Sequence, residues 1–145
     1  TTLKRSSMGT KKLVTGIVAG WITMFVVGYL IFDIIMAGFY ANNAAAAFGV
    51  GRDTILWLPI ALGIASLSIL VTVCIGWSGA NNAAAGFKVG GLVGFLVWLG
   101  IGLIDNGYNT VSTTIFPLVD ASMEMIRTGI GGAVIASVLG KSKGA

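Results

Sequence analysis

The chain has 145 residues, 56% of them hydrophobic and 10% charged, and a mean hydropathy of +0.94. Charged residues make up about 25% of an ordinary soluble domain, so this composition excludes one and leaves only short polar tails around apolar spans. The lone Cys74 excludes an internal disulfide, the lack of histidine removes the commonest metal and haem ligand, and the net charge of +4 reads as membrane topology rather than nucleic-acid binding.

Residues 1–12 are polar and basic, with Lys4, Arg5, Lys11 and Lys12 ahead of a long apolar run. A signal-peptide core spans about 7–15 residues, so this longer run predicts a retained first membrane helix over about 13–40. It carries Gly16, Gly20 and Gly28, and Asp33 lies one turn beyond Tyr29 near its far end.

The next stretch, ANNAAAAFGVG at 41–51, returns as ANNAAAGFKVG at 80–90, with nine of eleven positions identical. Each copy precedes an apolar span, and asparagine caps helices that alanine then propagates, so the pair reads as a duplicated helix entrance. One span between the copies puts them on opposite faces of the membrane, the inverted relation found in transporters and channels. The plainer reading is two similar connectors with no shared role.

The second span, over 55–77, has Pro59 near its start and a polar line of Ser66, Ser68 and Thr72. The third, over 84–104, carries Gly86, Gly90 and Gly94, and the fourth, over 114–140, carries Gly132, Ala136 and Gly140. Small residues four apart let helix backbones approach closely, so both ladders predict tight helix packing. Between these spans lies a polar link, DNGYNTVST, after which Thr113 or Thr114 is placed to cap the last helix and Pro117 suits its first turn.

The last span is apolar but for Asp120, Glu124 and Arg127, which fall on one narrow stripe at i, i+4 and i+7. A charge deep in a bilayer costs about 2.5–3.5 kcal/mol on insertion scales, so these residues require a partner, a cavity or another protein. Two readings rest on them. In one, Glu124 and Arg127 pair for packing, Asp120 lies in the helix interface, and Asp33 bonds Tyr29 or a loop. In the other, Glu124 or Asp33 takes a proton or cation in an acidic vestibule while Arg127 holds the counter-charge.

The basic residues set an expected orientation. With both ends on one side, that side collects Lys4, Arg5, Lys11, Lys12, Lys88, Lys141 and Lys143, and the other receives Arg52 alone. The expectation is therefore an all-α bundle of four membrane helices, forming a single membrane domain over 1–145 with both termini cytoplasmic. No nucleophile–base pair, metal-ligand spacing or phosphate loop is present, so no enzymatic activity, cofactor or metal is expected.

The stretch GFKVGGLVGFLVWLGIGLIDNGYNTVSTTIFPL from residue 86, with RTGIGGAVIASVLGK from residue 127, resembles a family of small bacterial four-helix integral membrane proteins of unassigned function. The resemblance covers the last two helices best: a Gly-rich third helix, a polar link into Phe-Pro-Leu, and a closing Gly-Gly-Ala helix. It implies a bacterial inner-membrane protein and carries over no catalytic residue. The expected partners are the lipid bilayer and either other membrane subunits or a second copy of the chain, with no nucleic acid. The expected role is a non-catalytic accessory or structural subunit, the alternative a small transporter or channel for protons, cations or a polar solute.

Overall fold

The computed structural model describes residues 9–140. Helix α1 runs Thr10–Gly28 and continues as a π-helical segment, Tyr29–Ile35; α2 is Ala37–Asn43, α3 Trp57–Ser78, α4 Ala83–Tyr108 and α5 Phe116–Gly140. Four of these are long and apolar enough to cross a membrane: α1 with its π continuation, α3, α4 and α5. The fold is an all-α, four-span bundle, and the chain is a multi-pass membrane protein.

Helix α5 is the hub. It packs most extensively on α4, then on α1 and α3, while α3 bridges α1 and α4. The core around it is made by Met24, Ile64, Leu67, Val71, Ile75, Ile135 and Ala136. Gly16 of α1 faces Leu139 of α5, so the start of the first span and the end of the last share one end of the bundle. The opposite end, called distal below, carries α2 and the link between α4 and α5.

The two glycine ladders face each other along α4 and α5. A Cβ on Gly86 would land on the Gly132 carbonyl and the Ala136 methyl, and one on Gly90 would land on the Thr128 carbonyl. Gly94 receives the Thr128 side chain, and Gly140 lies against the Asn81 backbone. Backbones this close gain dispersion and Cα–H contacts that larger side chains would hold apart. Helix α3 is tied to α1 by polar bonds instead: Ser68 Oγ donates to the Ile17 carbonyl at 2.7 Å, and Trp21 Nε1 donates to the Ala61 carbonyl at 2.9 Å.

Three local expectations are corrected. The first span was expected to run unbroken over 13–40, yet its helix leaves the α register at Tyr29 and ends at Met36. There the Met36 amide reaches five residues back to the Ile31 carbonyl at 2.8 Å. Hydropathy is blind to this step, because the same apolar residues suit either register. The Asn-Asn-Ala repeat does not form two helix entrances: Asn82 caps α4 by accepting the Ala85 amide at 3.0 Å, but Asn42 and Asn43 close α2, donating to the Gly38 and Phe39 carbonyls. The copies do lie at opposite ends of the bundle, since Asn43 contacts Thr113 and Asn81 contacts Gly140. Finally, neither threonine caps α5 with its side chain among the described residues: the Thr113 hydroxyl is engaged by Asn43, the Thr114 hydroxyl accepts no α5 amide, and the first α5 amide, Phe116 N, is met by the Thr113 carbonyl at 3.0 Å.

Of the basic residues that set the expected orientation, Lys4, Arg5, Lys141 and Lys143 lie outside the described residues.

Candidate functional site at the Arg127 cleft

Glu124 and Arg127 come together on α5 as their three-residue spacing predicts. They are 3% and 6% exposed; Arg127 Nε donates to Glu124 Oε2 at 2.9 Å, and Nη2 lies 2.8 Å from the same oxygen. The guanidinium also stands over two aromatic faces, 5.2 Å from the centre of Phe32 and 5.7 Å from that of Trp98. Ring faces attract cations within about 6 Å, so the pair and the two rings together offset the cost of holding this charge away from water. Thr128, packed into Gly94, donates its hydroxyl to the Glu124 carbonyl at 2.6 Å.

Asp120 is not part of that pair. It lies one turn nearer the distal end and accepts the Tyr40 hydroxyl from α2 at 2.5 Å. Tyr40 is wedged edge-on against Phe32, Phe39 and Phe116, with ring centres 5.3, 5.7 and 5.4 Å away. Burial pushes the Tyr40 phenol well above its usual range, and the hydrogen bond and charge of Asp120 add to the shift. This aromatic plug caps the Glu124–Arg127 pair from the distal side.

Tyr29 and Asp33 both face outward, and no hydrogen bond joins them among the described residues. They share a different feature with Arg127, a cleft of about 200 Å³ between the π segment and the start of α3. Phe25, Phe32 and Trp57 wall it, and Arg127 closes its buried side. Gly28 is what lets the guanidinium in, since a Cβ there would stand 3.0 Å from Nη1 and 3.1 Å from Cδ.

The five polar residues picked from sequence therefore divide into three groups. Glu124 and Arg127 pair, Asp120 joins Tyr40, and Tyr29 and Asp33 meet Arg127 only across open space. The packing set Gly86, Gly90, Gly94, Gly132, Ala136 and Gly140 all serve contacts within the chain. Sequence reading missed Tyr40, Phe32, Trp98 and the role of Gly28. One signal was present: Gly20, Met24, Gly28 and Phe32 recur every four residues and continue the buried face of α1 toward Arg127. Among the described residues, no three carboxylate or thiol groups converge as metal ligands would. Chemically, the site offers hydrogen-bond donors on its floor and an acidic group on its open side. Compared with family models, curated proteins and solved structures, the chain matches none.

Proposed function

We propose that the chain is a non-catalytic accessory or structural subunit of a membrane complex, seated in a bacterial inner membrane with both ends cytoplasmic. The observation that carries this reading is where its polar groups and small residues go. Glu124, Arg127, Asp120, Ser68, Thr72 and Thr128 find partners inside the bundle, and the glycine ladders close on each other. What remains outside is broad and apolar, including Leu92, Leu96, Ile101, Leu103 and Ile104 of α4. That surface suits lipid or the spans of a partner. The excess of basic residues near the two ends supports the orientation.

Extraction in a mild detergent or a native-membrane polymer, followed by sizing and mass spectrometry, tests this. A subunit co-migrates with a defined partner or a second copy. A chain that runs alone under every gentle condition refutes the reading.

A second reading, a small transporter of protons, cations or a polar solute, is favoured by one feature: the cleft that reaches Arg127. It requires uptake by the purified protein in vesicles, lost in Glu124→Gln while the fold is kept.

A further inference from the structure

The cleft holds two charges of opposite sign that do not pair with each other. On its floor, Arg127 gives Nε and Nη2 to Glu124, while Nη1 lies along Gly28 with no acceptor among the described residues. On its open side, Asp33 is exposed and has no ion-pair partner among the described residues. The space between them is walled by the rings of Phe25, Phe32 and Trp57.

We propose that this cleft binds a small zwitterion, with a carboxylate on Arg127 Nη1, an ammonium group on Asp33, and a short apolar body against the rings. A lone anion fits poorly, because Glu124 already takes two of the guanidinium nitrogens and Asp33 lines the same cleft. A lone cation gains Asp33 and the aromatic faces, but meets Arg127 on the floor. A molecule bearing both signs answers both groups and adds no net charge to a poorly solvated site. The volume of about 200 Å³ lies below the ~300–1,000 Å³ of drug-sized pockets, which limits the occupant to something of amino-acid size.

The same pair of charges occurs on a zwitterionic lipid headgroup, and adding such a lipid to the discs separates the two sources. Occupancy of the cleft goes beyond both roles proposed above, and depends on neither.

Titration calorimetry of the full chain in phosphatidylglycerol nanodiscs tests the proposal. The zwitterions are leucine and ε-aminocaproate; the one-charge controls are leucinamide and caproate. At least one zwitterion should bind about tenfold or more tightly than either control, the worth of one charge-assisted hydrogen bond. Asp33→Asn, at an exposed position that leaves the core untouched, should reduce that zwitterion to the affinity of caproate. The proposal is overturned if neither zwitterion binds at millimolar concentration, if a control binds equally well, or if Asp33→Asn changes nothing. Loss of solute binding when phosphatidylethanolamine is added to the discs would overturn the free solute in favour of a headgroup.

Discussion

Thr113 and Asn43, seventy positions apart, hold each other twice: the Thr113 amide donates to the Asn43 carbonyl at 3.0 Å, and the Thr113 hydroxyl donates to the Asn43 side-chain oxygen at 2.9 Å. Asn106 steadies the same link, its side-chain amide donating to the Ser112 carbonyl at 3.1 Å. The short helix α2 is thus pinned across the distal end, where Tyr40 covers Asp120.

Thr113→Val removes the hydroxyl bond and leaves the amide bond in place. The expected cost is about 0.5–1.5 kcal/mol, the usual net worth of one such hydrogen bond. Amide exchange over Ala37–Asn43 should quicken, while exchange in the middle of α5 stays unchanged.

The Tyr40 phenol gives a pH dependence of definite sign. Its folded pKa lies above the ordinary value of 10.0, raised by burial first and then by Asp120. Below that value both states hold the proton and the contribution to stability is constant. Above it the unfolded chain loses the proton first, so stability falls by about 1.4 kcal/mol per pH unit. Unfolding followed from pH 9 to 11 should show a steeper alkaline loss for the native chain than for Tyr40→Phe.

Breaking the buried pair from one side strands a charge. Arg127→Met or Glu124→Leu alone should cost about 3–5 kcal/mol, and the double variant should recover much of that. Thermal unfolding in detergent of the two singles and the double closes the cycle. Glu124→Gln separates the two functional readings: a packing role predicts lost stability, a transport role predicts lost uptake by a folded protein.

The glycine ladder has an internal control. Gly90→Ala drives a methyl group into the Thr128 carbonyl and should cost about 1–3 kcal/mol. Gly100→Ala, on the same helix but with nothing within 4 Å of the new carbon, should stay within about 0.5 kcal/mol of the native chain. Melting midpoints measured side by side decide it.

What could be read from the chain was what local spacing controls. Glu124 and Arg127 are three residues apart on one helix, so their pairing needs no tertiary knowledge. The ladders were readable for the same reason, although their mutual contact within one chain was not: the same spacing serves a dimer equally well. Tyr40 and Asp120 lie eighty positions apart, and only the turn of the chain at Met36 brings them together. The repeat misled because an asparagine side chain bonds forward to an amide at a helix start and back to a carbonyl at a helix end; the choice belongs to the neighbours.

The hub position of α5 has a bearing on biogenesis. During synthesis α1, α3 and α4 enter the lipid before the segment that all three pack against has been made. Until it arrives, α4 presents an open glycine furrow to the membrane, and no arginine is present to occupy the notch at Gly28. The bundle therefore closes late: α1 and α3 have their Ser68 and Trp21 bonds to each other from the start, whereas the glycine face of α4 stays open until α5 is made.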